Sequence, residues 1–369
     1  MIYLNNAATS FPKPPSVIAA MTEALEAVPE SSQRSSYPST SDTLSCLRQR
    51  LGQLFHIQAD HRIYFTSGAT DAVNRIMGGL GTIEVVVSSD CHNSVLRPAY
   101  NLPQIASVSV IDSRQLDSIS QGPKSKGRTT LLALPHCSNV TGRLHDVRSI
   151  CRQAHDRGWL VMLDAAQSAG CVPIDADGWE VDILVFTGHK SLFGPQGTGG
   201  FYVRPGLPLR PTVYGGTGRD SSIVRYETGD WEYEVGTPNL PGLAGLNAGV
   251  AYILHQGVEN IFRREQEQVL WLISQLGKLP KVRLYSEGGA SQGPVVSFNI
   301  DGLKPADASY ILLNTYGIIL RSGLHCAPLI HQDLGTVPWG TLRASLSYHT
   351  TPDELQAFVR AVGEICDSL

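Results

Sequence analysis

Short apolar runs recur along the first two thirds of the chain, separated by stretches of mixed polarity. Ile63-Tyr64-Phe65, Val85-Val86-Val87, Val108-Ser109-Val110 and Leu131-Leu132-Ala133-Leu134 read as strands, and residues 159–163 and 183–186 continue the series. Runs this short and this apolar suit strands buried on both faces. Residues 16–27, 70–80 and 146–157 are helix-compatible. Alternating strands and helices predict an α/β fold with a mostly parallel sheet covered on both sides. The pattern changes near Thr237, where Gly236-Thr237-Pro238-Asn239-Leu240-Pro241-Gly242 is rich in turn formers. Residues 243–256 and 258–276 then read as long helices, and strands follow near 295–300, 318–321 and 341–347. The expected organisation is a large domain over residues 12–256 and a smaller α+β domain over 257–369, joined by an N-terminal segment, 1–11. Serine-rich residues 31–45 read as an active-site or interface loop.

At 369 residues the chain is long enough to bury a large core in two domains. A net charge of -4, with 17% charged residues, leaves no basic stripe for nucleic acid or an anionic membrane. A small-molecule role fits better. The first residues carry no secretion signal and no run of about 18 apolar residues occurs, so the expected setting is the cytoplasm. Seven cysteines form no CxxC pair and read mostly as buried, reduced thiols. Cys91-His92, His136-Cys137 and His325-Cys326 lack the ligand spacing of a structural zinc site, so no metal is expected.

Chemistry concentrates after the apolar run 183–186, where Thr187-Gly188-His189-Lys190 leads into a glycine-rich turn. Ligands collect at such strand ends in α/β sheets. The chain has seven lysines, and the other six (Lys13, Lys124, Lys126, Lys278, Lys281, Lys304) sit beside proline or glycine, as solvated loop lysines do. Lys190 is either a nucleophilic amine held in apolar surroundings or a lysine snorkelling from a strand end. Asp164 ends the run 159–163, 26 residues before Lys190, and needs a cationic or donor partner if buried. It is either the partner of a bound cofactor or a member of a structural pair. Ser67-Gly68-Ala69-Thr70-Asp71 links a strand to a helix and reads as a phosphate cup or as ordinary helix capping.

Asp164-Ala165-Ala166-Gln167, Thr187-Gly188-His189-Lys190 and Arg321-Ser322-Gly323-Leu324-His325-Cys326, in this order, resemble the class V aminotransferase group, specifically the cysteine desulfurase and selenocysteine lyase family. The likeness runs from Tyr3-Leu4-Asn5-Asn6-Ala7-Ala8 to Leu342-Arg343-Ala344-Ser345. It implies the type I fold of enzymes that use pyridoxal 5′-phosphate. By resemblance, Lys190 is the Schiff-base lysine, Asp164 the partner of the pyridine nitrogen, Gln167 the donor to the phenolic oxygen and His92 the residue stacked on the ring. Ala69, Thr70, Thr187 and His189 match phosphate-side residues, and Thr237 matches a threonine lent across a homodimer interface. Asn139 and Arg343, with Arg321, match residues around the cofactor and the substrate carboxylate. Cys326 matches the cysteine that takes sulfur from L-cysteine as a persulfide, its thiolate favoured by His325 and Arg321, for delivery to an acceptor protein or thiol.

The chain departs from the pattern in three places. Residues 34–40 lack a histidine, Ala69 stands where a hydroxyl is common, and Leu324 replaces a histidine. Those changes bear on substrate choice: a selenocysteine lyase, or a lyase, epimerase or aminotransferase acting on another amino acid, shares the same frame. A non-catalytic sulfur-relay scaffold is the alternative outside enzymes. The short stretch between Cys326 and Arg343 implies a restrained loop at the cysteine.

Overall fold

The computed structural model describes residues 1–27, 43–121, 127–216, 222, 224–225 and 232–369. Its strands are β1 (Ile2–Tyr3), β2 (Ile63–Thr66), β3 (Ile83–Ser88), β4 (Ile105–Ile111), β5 (Thr129–Pro135), β6 (Trp159–Asp164), β7 (Ile183–Thr187), β8 (Gly199–Val203), β9 (Val282–Leu284), β10 (Val295–Ile300), β11 (Ile318–Ile319), β12 (Arg321–Gly323) and β13 (Thr341–Ser345). The α-helices are α1 (Pro15–Glu26), α2 (Thr43–Phe55), α3 (Ala69–Gly79), α4 (Asn93–Asn101), α5 (Val147–His155), α6 (Leu240–Gln256), α7 (Val258–Leu276), α8 (Pro305–Tyr316), α9 (Pro328–Asp333) and α10 (Pro352–Ser368).

Seven strands form the large sheet in the order β2-β8-β7-β6-β5-β3-β4. The pairs among β4, β3, β5, β6 and β7 are parallel, whereas β8 runs antiparallel to both β7 and β2. Alternate side chains enter opposite faces, as the period of a strand requires. Leu132, Leu134, Leu163, Leu184 and Phe186 join one core cluster, while Leu131, Ala133, Met162, Ile183 and Val185 join the other. Both faces are apolar, which is why these strands read as unbroken hydrophobic runs.

Strand β8 escaped the sequence reading because it opens with two glycines. A Cβ on Gly199 would lie 2.6 Å from the Gly68 Cα, and one on Gly200 would lie 2.3 Å from the Tyr64 carbonyl oxygen. Both glycines therefore mark close backbone approach inside a sheet, not a turn. Helix α2 was also missed. It begins at Thr43, so the end of the serine-rich stretch is helical, and the remainder, with the 34–40 loop, lies outside the described residues.

The smaller sheet is antiparallel, ordered β12-β13-β10-β9, and the expected strand at 318–321 divides into β11 and β12. Its core joins Phe298, Leu342 and Ala344 to Leu312 of α8 and Phe358 of α10. The N-terminal segment belongs to this assembly too: β1 pairs in parallel with β11, and Leu4 is fully buried in the same cluster. Helix α7 spans two cores, with Ile261 in that of the large sheet and Val269, Leu272 and Leu276 in that of the small one.

Replacing Leu4 by alanine removes a fully buried side chain from that cluster. The expected loss is roughly 2–5 kcal/mol, read as a lower urea midpoint. An unchanged midpoint would show that the segment is not anchored by this contact.

Candidate active site

The carboxyl ends of β5, β6 and β7 meet the start of α3 and the small sheet around a cavity of about 440 Å3, within the size range of small-molecule sites. Asp164, Gln167, Thr187, His189 and Lys190 line it with His92, Asn139, Arg321, Arg343, Ala69 and Thr70.

Strand β7 ends at Thr187, and Gly188 turns the chain. A Cβ on Gly188 would lie 2.1 Å from Thr198 Oγ1, so the turn has no room for a side chain. Gly188 N–H donates to the Thr198 carbonyl and Gly194 N–H to the Gly188 carbonyl, both at 2.8 Å, and Phe193 N–H donates to the Lys190 carbonyl at 2.9 Å. Lys190 is thereby held on a closed loop facing the cavity. Burial lowers its pKa to about 8 against the opposing pull of Asp164, and the charges of Arg343 and Arg321 add to the lowering. A solvated, snorkelling lysine has no such shift.

Asp164 is 5% exposed, and its Oδ1 accepts the Ala166 N–H at 2.9 Å. Burial raises its pKa, opposed by that hydrogen bond and by Lys190. His92 caps α4, and its Nδ1 accepts the Ser94 N–H at 3.0 Å. Burial, helped by Lys190, Arg321, Arg343 and Arg97, lowers its pKa to about 4. At neutral pH the ring is therefore uncharged, with its hydrogen on Nε2. The same cause, with Lys190 and Lys13 nearby, brings His189 to about 4.

Helix α3 starts after Gly68, at φ 151°, and no side chain caps it. Asp71 instead accepts from Ser67 N–H at 3.3 Å and pairs with Arg75 Nε at 2.7 Å. The helix end thus faces the cavity uncapped, and ordinary side-chain capping does not describe it.

Arg343, on β13, is 1% exposed. Its Nη1 donates to the Asn139 carbonyl at 3.0 Å and its Nη2 to Asn5 Oδ1 at 3.4 Å, while Nε has no partner. Burial lowers its pKa to about 9, with Arg321 adding repulsion. Among the described residues no carboxylate pairs with it. A buried cation left in this way carries an unmet cost that a bound anion would relieve.

Cys326 does not line the cavity but lies beside it, half-buried, with Arg321 Nη2 donating to its Sγ at 3.2 Å. His325 and Cys326 both hold left-handed backbone, at φ 48° and 59°. Asn93 N–H donates to the Cys326 carbonyl and Asn139 Nδ2 to the His325 carbonyl, each at 2.7 Å, so the loop is pinned from two sides. His325 itself does not serve the thiol. Its Nε2 lies 3.0 Å from Thr341 O and Oγ1, and burial drives its pKa well below the usual range, leaving Arg321 as the cation at the sulfur.

Some of the expected residues have hydrogen-bonding groups engaged within the protein, and one lies outside the cavity lining. One Asn139 N–H goes to the His325 carbonyl at 2.7 Å, one Gln167 N–H goes to the Ala7 carbonyl at 3.0 Å, and Thr237 is exposed outside the cavity. Ser94, which orients His92, and Lys13 were missed. Lys13 is not a solvated loop lysine: it is half-buried and its ammonium donates to the His189 carbonyl at 2.8 Å. Its flanking prolines were the misleading signal.

A desolvated amine and a carboxylate share a cavity at the carboxyl edge of a sheet covered on both faces, the edge where α/β enzymes collect their ligands. The chain belongs to the class-V aminotransferase family, whose family model matches residues 2–358. A probable cysteine desulfurase of Methanothermobacter thermautotrophicus is 32% identical, the match covering 99% of this chain and 94% of the relative. The cysteine desulfurase CsdA of Escherichia coli is 28% identical over 100% of this chain and 94% of its own length. The apo structure of a cysteine desulfurase from Thermococcus onnurineus superposes with a TM-score of 0.85 at 29% identity, covering 100% of this chain and 95% of that one.

Burial holds His136 at about 3, His92, His189 and His331 at about 4, and His325 well below its ordinary value. From about pH 6.5 down to 4 the unfolded chain binds protons that these rings refuse, so stability falls as pH drops through that window. Glu265, pushed up to about 8 by burial, and Asp164, also raised, act in the opposite sense but are outnumbered. Urea midpoints at pH 7 and pH 5 check this: the midpoint is lower at pH 5, and an equal or higher value contradicts the buried-imidazole account.

Proposed function

We propose that this chain is a pyridoxal 5′-phosphate-dependent cysteine desulfurase, converting L-cysteine to L-alanine and retaining the sulfur as a persulfide on Cys326. One observation carries the reading: the Cys326 Sγ, held 3.2 Å from Arg321 Nη2, stands beside a cavity lined by Lys190 and by Arg343, whose Nε has no partner. The relatives named cysteine desulfurase support it.

The donor set fits the cofactor. The uncapped start of α3, with Thr70, Thr187 and His189 alongside, suits a phosphate. Asp164 suits a protonated ring nitrogen, the neutral His92 a ring face, and the remaining Gln167 N–H a ring oxygen. When bound, pyridoxal phosphate supplies an aldehyde for an amine and a ring that draws electrons from the substrate carbon.

The protein's own groups do the rest. Arg343 takes the substrate carboxylate in the bidentate geometry a guanidinium favours. Lys190, with a pKa near 8, exchanges a proton readily at working pH and serves as the base at the α-carbon. Arg321 Nη2 holds the Cys326 sulfur, which as thiolate attacks the substrate sulfur. The S–S bond forms as the Cβ–S bond breaks. Its electron pair stays with the carbon, which gains a proton and becomes the alanine methyl. Sulfur is oxidised to the persulfide level as that carbon is reduced, and no further oxidant is required. The exposed Thr237 then serves the site of a second copy, in a cytoplasmic homodimer that hands sulfur to an acceptor protein or thiol.

Alanine released from L-cysteine, with the cofactor and a reductant present, tests the reading. Wild type releases it, and Cys326→Ala loses about a hundredfold or more. Arg343→Gln loses mainly in KM. No alanine from wild type, despite a visible cofactor band, would move the assignment to another amino acid.

A further inference from the structure

The carbonyl oxygens of His189 and Lys190 are gripped from outside the cavity by a segment some 180 residues away in sequence. The Ser10 N–H and the Thr9 hydroxyl donate to the His189 carbonyl at 3.1 and 3.0 Å, and Lys13 Nζ donates to the same oxygen at 2.8 Å. Lys13 Nζ also donates to Ser10 Oγ at 2.8 Å, and Ser10 Oγ lies 2.7 Å from the Lys190 carbonyl. An ammonium has only hydrogens to give. With Lys13 donating to the Ser10 oxygen, the single hydroxyl hydrogen is left for the carbonyls, at 2.7 Å to that of Lys190 and 3.3 Å to that of His189.

The arrangement is costly for mere loop closure. Lys13 is half-buried, burial lowers its pKa to about 8, and among the described residues no carboxylate pairs with it. Its backbone is preset by Pro12 on one side and Pro14-Pro15 on the other, so the ammonium has a fixed base from which to reach. Lys13 does not line the cavity.

We propose that Lys13 is a positioning residue for Lys190: acting with Ser10, it ties the carbonyls of His189 and Lys190 and so fixes the direction in which the reactive amine enters the cavity. This rests on the reading of Lys190 as the reactive amine.

Lys13→Met, Lys13→Arg and Ser10→Ala are compared with wild type by three measurements. These are hydrogen exchange of the peptide spanning 186–194 in cofactor-free protein, the pH midpoint of the visible band after loading with pyridoxal phosphate, and kcat and KM for L-cysteine. In Lys13→Met and Ser10→Ala, exchange in that peptide speeds up, the midpoint moves by about half a pH unit or more, and kcat falls about tenfold with KM changed less than about threefold. Lys13→Arg, which keeps the charge and donors, stays near wild type. Wild-type exchange and midpoint in both Lys13→Met and Ser10→Ala would overturn the proposal. If Lys13→Met does not fold, Ser10→Ala decides. A wild type without a visible band refutes the reading of Lys190, whereas the exchange comparison still decides whether the clamp orders the loop.

Discussion

Everything at this site depends on keeping the Lys190 amine out of water beside Asp164. Taking ionic groups out of water costs several kcal/mol each unless partners answer them. Here the answers are incomplete by construction: Asp164 has one backbone donor, Arg343 has a free Nε, and Lys190 has a lowered pKa. The large apolar sheet beneath sustains that cost, because β5, β6 and β7 are buried on both faces. Groups left short of partners are the ones available to a ligand.

The ends of β6 and β7 stood out because apolar runs there give way to charged residues, but a snorkelling lysine or a structural pair explains those as well, and only the resemblance of the combined motifs chose between the readings. The strand periodicity and helix α7, predicted at 258–276, reflect local patterning. What stayed hidden was decided by distant contacts. Gly199 and Gly200 look like a turn until Gly68 and Tyr64 are brought against them. Lys13 looks solvated among prolines until the His189 carbonyl meets it. His325 looks like a group that favours the thiolate of its neighbouring cysteine until Thr341 takes its ring. Each of these depends on a partner more than ten residues away, which no reading of local composition supplies.

The N-terminal segment joins the two sheets functionally. Leu4 is buried in the core of the small sheet, Asn5 holds Arg343, the Ala7 carbonyl takes a hydrogen of Gln167, and Ser10 reaches Lys190. Within a few residues this one segment therefore touches Arg343, the cavity wall and the loop of Lys190. The relative placement of Lys190, on the loop after β7, and Arg343, on β13, is set by this segment as well as by the two sheets.

The central claim is that Lys190 is the amine that carries the chemistry. Borohydride reduction of the protein loaded with pyridoxal phosphate locks the cofactor to whichever amine it is joined to, and peptide mass spectrometry then locates it. The account predicts the added mass on the peptide containing Lys190, with Lys13 unmodified. A label on another lysine, or none on a protein that shows the visible band, would contradict it.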